Sequence, residues 1–410
     1  MNVINYKSYL KPYISRGSYL EKICPLIDKE IIKVLVGQRR VGKSYMLYQL
    51  IDYIAELHPG ANILYINKEL DDFDFIRDHN DLTAYVKSHS GDQKIYLFID
   101  EIQDIEYFEK ALRSMLATGR YDIYCTGSNA DLMSGDIAGY LSGRAVEVKI
   151  YSLSYSEFLR FHRLNNSPGS LEKYLKFGGL PYLINLKLED HIVYDYLKNI
   201  YATILYKDIV ARHHIRNTHF LENLVKYTAD NLGNIISAKK ISDFLRSQRT
   251  NISPQVVLNY LDHLTNAFML FKVSRADLYG KKIFESLEKY YFEDLGLRNS
   301  ISGYRPPDVG KLMENVVYLH LLISGYEVTV GISGNTEIDF IGKKNGEKIY
   351  VQVAYMLTDA KTVDREFGNL LKIKDNYPKY VVSMDMIHGN TYQGIRQLQV
   401  SDFLMSKEFS

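Results

Sequence analysis

The chain of 410 residues carries 50 basic against 49 acidic side chains, a net charge of +1, with 46% hydrophobic and 24% charged residues. That is the balance of a globular protein long enough for two to four domains, and it excludes a histone-like polycation, so any nucleic-acid surface is local. No apolar run approaches the roughly 20 residues that span a bilayer, MNVINYKSYL has no signal-peptide core, and Cys24 and Cys125 alone build no disulfide framework or cysteine zinc ribbon, so a cytoplasmic protein without a membrane partner is expected.

In chain order, 31–36 (IIKVLV) is an apolar, β-branched run followed by a Gly-rich turn. From Lys43 a helical pattern takes over, with Met46, Leu47, Leu50, Ile51 and Ile54 on one face. Buried strands are predicted over 62–66, 95–99, 121–125 and 146–150, with helical stretches such as 104–117 between them. This alternation predicts an α/β domain with a parallel sheet covered on both faces. The stretch 154–215 reads as helical, broken at 165–170 and at Gly178, Gly179 and Pro181. A compact helical unit over about 218–300 closes with strand-like runs 269–274 and 289–292 around Gly280-Lys281-Lys282, and Arg305-Pro306-Pro307 reads as a linker. The rest is predicted as helix 311–324, strands 326–331, 336–342 and 348–355, helix 361–374 and strand 379–384.

Gly37-Gln38-Arg39-Arg40-Val41-Gly42-Lys43-Ser44 fits G-x-x-x-x-G-K-[ST] in full, and with Tyr45 it is the candidate nucleotide-binding segment. Its glycines let successive N–H groups face a phosphate chain, Lys43 can reach the β- and γ-phosphates, and the Ser44 hydroxyl can hold Mg²⁺. The strand 95–99 ends in Asp100-Glu101, which places Asp100 in the magnesium shell and Glu101 beside the attacking water. A third strand ends at Thr126-Gly127-Ser128-Asn129, where Ser128 or Asn129 can hydrogen-bond the γ-phosphate or the water. Arg144, in Leu141-Ser142-Gly143-Arg144, is the candidate transition-state cation, acting in its own chain or in a neighbour's site.

The phosphate loop with its Arg-Arg pair, FIDEIQ, TGSNA and the LSGR–EVKIYSLSYSEF segment resemble bacterial and archaeal ATPases of the AAA+ superfamily. The likeness continues through Gly178-Gly179-Leu180-Pro181 and Lys289-Tyr290-Tyr291-Phe292-Glu293-Asp294. It implies ATP and Mg²⁺ binding. It also implies a helical lid, a winged-helix domain and a C-terminal restriction-endonuclease-like domain of unknown function, with no common cellular role. The expected division is 1–153 ATPase core, 154–217 lid, 218–304 winged helix and 308–410 endonuclease-like domain.

Helices near 219–232, 238–247 and 254–267 followed by a two-stranded wing fit a winged helix-turn-helix. Lys239 to Lys282 holds eight basic and three acidic residues. Lys281 and Lys282 suit a wing contact to phosphates, whereas the third helix exposes Gln255, Asn259 and His263 without an arginine fork. Weak, sequence-tolerant DNA contact and a protein-docking role both remain open. Endonucleases of the restriction-enzyme fold need a helix-borne acid, a strand Asp and Glu-x-Lys. Glu314 and Asp339 supply the first two, but the third element reads Gln352-Val353-Ala354, with Lys361 as the nearest displaced lysine. A degenerate binding or scaffold domain is the better fit. His213-His214 reads as a solvated helix face.

The expectation is a Mg²⁺-dependent ATPase whose nucleotide state moves its C-terminal domains, with an unknown protein target and possible self-assembly. A slow-hydrolysing regulatory switch and an ATP-gated DNA-binding or nuclease effector are the alternatives.

Overall fold

Five runs rich in Ile, Val, Leu and Tyr form one parallel sheet in the computed structural model of the protein, which describes residues 11–91, 93–133, 139, 141, 143–277, 287–333, 336–357, 359–385 and 391–409. After a short helix α1 (Gly17–Ile23), the strands are β1 (Ile32–Val36), β2 (Asn62–Asn67), β3 (Ile95–Asp100), β4 (Tyr121–Gly127) and β5 (Ala145–Lys149). Their spatial order is β2-β3-β4-β1-β5, all neighbours parallel. β1, β3 and β4 are buried along their whole length, so they read as unbroken apolar runs instead of alternating ones.

Helices α2 (Lys43–Leu57), α3 (His79–Ser88) and α4 (Phe108–Leu116) lie in the connections. α2 buries the stripe Met46, Leu47, Leu50, Ile51 and Ile54. α3 is started by Asp78, whose carboxylate accepts the N–H groups of Asn80 and Asp81. The helix expected from 104 begins only at Phe108, because Ile102–Asp104 forms a separate 3₁₀ turn. This unit comprises the residues up to Tyr151 together with 266–268, and the remainder of the chain is a second unit.

The second unit opens with α5 (Tyr155–His162), closed at its start by a reciprocal capping box between Ser154 and Glu157. Next come α6 (Pro168–Phe177) and α7 (Asp190–Thr203), which runs on as a π-helix over Ile204–Ala211. The central part holds α8 (Thr218–Asp230), β6 (Ile235–Ile236), α9 (Ala238–Ser247), α10 (Pro254–Asn266), β7 (Leu270–Val273), β8 (Arg275–Asp277), β9 (Glu288–Phe292) and α11 (Leu295–Ser302). β6, β9 and β7 make a three-stranded antiparallel sheet. The Gly280-Lys281-Lys282 turn lies outside the described residues.

α12 (Val309–Ile323), β10 (Glu327–Ser333), β11 (Thr336–Lys344), β12 (Glu347–Val353), α13 (Ala360–Leu371), β13 (Lys379–Ser383), β14 (Thr391–Tyr392), β15 (Ile395–Gln399) and α14 (Val400–Met405) complete the chain. Their mixed sheet runs β14-β15-β13-β12-β11-β10-β8, so β8 leaves the central part and pairs in parallel with β10. Ile338, Ile341, Tyr350, Phe367, Leu370, Val381 and Ile395 form a core on it. The edge strands β8 and β14, and the β15 run IRQLQ, carry too little apolar signal to be read from the sequence.

Two motif segments meet at one carboxylate. Asp294 accepts the Gly179 N–H at 2.7 Å and the Leu297 N–H at 2.9 Å. A Cβ on Gly178, whose φ is +76°, would fall 2.4 Å from the Asp294 carboxylate, so only glycine fits. Among the described residues, no helix is long and apolar enough to cross a membrane.

Candidate nucleotide site

The leaving edge of the parallel sheet gathers the groups that sequence reasoning singled out. β1 delivers the loop 37–42 into α2. A Cβ on Gly37 would stand 2.1 Å from the Ile150 carbonyl oxygen, so the loop passes β5 there only as glycine. Arg40 and Gly42 take positive φ values of 72° and 100°, which curl the backbone before the helix. Gly42 caps α2 without a side chain, leaving that helix N-terminus to its own N–H groups. Such an end attracts anions.

Lys43 is buried, and its ammonium donates to the Gly37 and Gln38 carbonyls, each at 3.1 Å. It lies 3.6 Å from Glu101 Oε1. Ser44 is half-buried and Tyr45 is 40% exposed. Gln38 is buried with neither amide atom hydrogen-bonded among the described residues. The buried Arg39 guanidinium pairs with Glu69 at 3.2 Å, while Arg40 is exposed and Val41 fully buried.

β3 ends in the two acids. Burial and then the Glu101 charge push Asp100 up to about 6, against hydrogen bonds from Thr126 and Ser44 and the Lys43 charge. Thr126 Oγ1 donates to Asp100 Oδ1, and the Tyr65 hydroxyl reaches Oδ2 at 3.2 Å. Glu101 takes a left-handed conformation, with φ 55° and ψ 56°, and its N–H donates to Thr126 Oγ1 at 2.9 Å. Burial pushes its carboxyl up, but Lys43, Gln103 and Arg39 outweigh that and hold it below the usual value. The Ser128 hydroxyl also favours the charged form of Glu101, although it lies outside strict hydrogen-bond geometry. Asn129 is buried beside it in sequence.

Mg²⁺ and a phosphate chain suit these residues. A hydroxyl faces a buried carboxylate whose ionisation is resisted by its surroundings, and a divalent cation relieves that cost. The lysine rests on neutral carbonyls, which a phosphate can replace.

Arg144 is not brought to this place in its own chain. Ala145 pairs with Ile32 at the entering end of β1, and the Arg144 carbonyl accepts the Ile32 N–H at 2.8 Å. The loop follows Val36, about 13 Å farther along the strand. The topology therefore gives no support to an action of Arg144 in its own chain. Thr126, Tyr65, Gln103 and Glu69 were missed. Gln103 stood inside the FIDEIQ motif without a role, and Tyr65 became legible only once the strand order was known.

In the second unit the acids of the endonuclease comparison meet a different lysine. Lys289, from β9, contacts Glu337 at 2.7 Å and Glu314 at 3.2 Å. The Tyr291 hydroxyl donates to Glu314 at 2.5 Å. Asp339 accepts the Val353 N–H at 2.8 Å, and Gln352 accepts the Asp339 N–H at 3.3 Å. Burial first, then the Glu314 charge, push Asp339 well above its usual value. Lys361 is exposed on α13 and does not supply the cation. No group of three or more His, Cys, Asp and Glu able to hold a metal occurs among the described residues. His214 is exposed, while His213 is half-buried with its ring stacked on His263, centroids 3.8 Å apart.

Residues 29–159 match the AAA domain family, and 169–308 match a domain of unknown function (DUF8612). An uncharacterized protein of Haemophilus influenzae is 36% identical over 402 residues, covering 96% of this chain and 99% of its own. An uncharacterized protein of Methanocaldococcus jannaschii is 30% identical over 426 residues, covering 98% and 93%. Among solved structures, the Walker-type ATPase of Pyrococcus abyssi superimposes with a TM-score of 0.48 at 15% identity, covering 71% of this chain and 98% of that one.

Proposed function

This chain belongs, with its Haemophilus influenzae and Methanocaldococcus jannaschii relatives, to a family of P-loop AAA-type ATPases, and we propose that it binds ATP with Mg²⁺ and hydrolyses it to ADP and phosphate. The observation that carries the reading is the buried approach of Lys43 to Glu101, a phosphate-binding cation and a water-activating carboxylate 3.6 Å apart. The loop 37–45 cradles the phosphates, and Lys43 exchanges the Gly37 and Gln38 carbonyls for phosphate oxygens. Ser44 and Asp100 hold Mg²⁺, which offsets charge on the β- and γ-phosphates when bound. Glu101, freed from Lys43 by the incoming phosphates, orients the attacking water and draws its proton away. Ser128 donates toward the γ-phosphate or the water.

Arg144, exposed at the far edge, serves in trans, in the site of a neighbouring copy. Mixing Arg144→Ala with Glu101→Gln subunits should then restore part of the turnover that each variant lacks.

The order α8, β6, α9, α10, β7, β9 supports a winged helix, used for weak DNA contact or for protein docking. The C-terminal sheet, with Lys289 lodged among its acids, serves as a degenerate endonuclease-like scaffold. Nucleotide turnover moves these parts against an unknown protein target in the cytoplasm.

Equilibrium titration and steady-state turnover test the reading together. Lys43→Ala is expected to lose ATP binding with the fold intact. Near-normal affinity in that variant sinks the phosphate-loop assignment.

A further inference from the structure

Glu101 does not stand free at the end of its strand. Its left-handed backbone leads straight into the 3₁₀ turn Ile102–Asp104, and that turn carries Gln103 back beneath it. The Gln103 side-chain amide donates to Glu101 Oε2, while Lys43 faces Oε1 at 3.6 Å. The two oxygens therefore have different partners. Lys43 is shared with two backbone carbonyls and is the group a phosphate takes away. Gln103 is local, two residues along the same turn.

The far end of the same amide is enclosed. Gln103 Oε1 is buried without a hydrogen-bond partner among the described residues, and it sits 2.8 Å from where a Cβ on Gly127 would stand. An amide wedged against the end of β4 has little freedom to rotate, so its N–H direction is set by packing. An unsatisfied buried oxygen is unfavourable, and here it belongs to a side chain whose other end holds the acid proposed to activate water.

We propose that Gln103 is a positioning residue for ATP hydrolysis: its amide, held between the 3₁₀ turn and the Gly127 end of β4, aims the Glu101 carboxylate at the attacking water after phosphate has drawn Lys43 away. The proposal rests on the reading of Glu101 as the water-activating acid. Removing the aim leaves nucleotide contacts intact, since Gln103 touches none of the loop 37–45 groups described above.

The test compares Gln103→Met, which keeps the volume but has no donor, with Gln103→Ala and Glu101→Gln. Steady-state turnover and ATP affinity are measured for each. Gln103→Met and Gln103→Ala are both expected to lower kcat by about 10- to 100-fold, the effect of a misaimed base, with ATP affinity within about twofold of the parent. Adding Gln103→Met to Glu101→Gln should cost nothing further, because there is no longer a carboxylate to aim; a merely structural role would lower both backgrounds. If Glu101→Gln is inert while Gln103→Met turns over like the parent, the positioning role is overturned and the reading of Glu101 stands. A further loss in the double variant overturns it equally. If Glu101→Gln itself hydrolyses ATP at the parental rate, the reading of Glu101 fails and takes this proposal with it.

Discussion

Two buried centres in this chain are built from nearly the same groups. One joins Asp100 and Glu101 to Lys43; the other joins Glu314, Glu337 and Asp339 to Lys289. They differ in what the lysine touches. Lys43 spends its donors on two neutral carbonyls and stays 3.6 Å from the nearest carboxylate. Lys289 meets two carboxylates at 2.7 and 3.2 Å, and although burial disfavours its charge, Glu314, Asp339 and Glu337 hold its ammonium above the ordinary value. A lysine on carbonyls can be drawn off by an anionic ligand, whereas a lysine between carboxylates is already neutralised. The first arrangement leaves a site open to chemistry and the second ties strands together.

Glu101→Gln and Lys289→Met break the comparison from its two ends. Glu101→Gln is expected to lower turnover by about 10²–10⁴-fold with ATP still bound, and steady-state kinetics beside an affinity titration check this. Lys289→Met takes the cation from the half-buried Glu314, while Glu337 keeps Arg275 at 3.4 Å, and should cost about 1–3 kcal/mol in denaturant unfolding. A Lys289→Met protein as stable as the parent at pH 7 would show that the pair only fills space.

Much of the first centre was legible because its groups are close in sequence: a glycine-rich turn, then Lys43 and Ser44, and an apolar strand ending in two acids. The second was not, because nothing around Lys289 announces partners 25 and 48 residues away at Glu314 and Glu337. Lys361, the nearest displaced lysine within the C-terminal domain, is exposed. Arg144 illustrates the converse. Its nearness in sequence to a strand that carries site residues is compatible with its own site or a neighbour's, and the parallel register of β5 on β1 sets it at the edge opposite the loop of its own chain. Helix periodicity survived translation better, since the α2 stripe depends only on the spacing of Met46, Leu47, Leu50, Ile51 and Ile54.

Asp100 gives a sharper contrast through pH. Its carboxyl is pushed up to about 6, so without nucleotide or Mg²⁺ the folded protein holds this proton more tightly than the unfolded chain does. The resulting stability is present below about pH 4 and is lost as pH rises toward 6, amounting to about 3 kcal/mol. Asp100→Asn should remove that decline and leave the ligand-free protein more stable than the parent at pH 7. Mg²⁺ with a nucleotide should stabilise the parent more than the variant, which keeps the phosphate loop but lacks one proposed Mg²⁺ ligand. If unfolding midpoints of the two proteins move in parallel from pH 4 to 7, the burial cost assigned to Asp100 is wrong.

The smallest effects come from two matched tyrosines. Tyr291 donates to Glu314 at 2.5 Å, and Tyr65 reaches Asp100 at the longer distance of 3.2 Å. Phenylalanine at either position removes one hydroxyl and almost no volume. Glu314 is also ion-paired with Lys289, so Tyr291→Phe deletes a short hydrogen bond to that paired carboxylate and should cost about 1.5–3 kcal/mol. Asp100 keeps Thr126 as a partner and is raised toward neutrality, so Tyr65→Phe should cost about 0.5–1 kcal/mol, the net worth of an ordinary bond. The two also differ in what else moves. Tyr65 orients a proposed Mg²⁺ ligand, so its loss should shift the Mg²⁺ concentration needed for half-maximal turnover, whereas Tyr291→Phe should leave that concentration unchanged. Equal stability losses with no shift for Tyr65→Phe would mean that both hydroxyls serve stability alone and that the two centres are more alike than their lysines suggest.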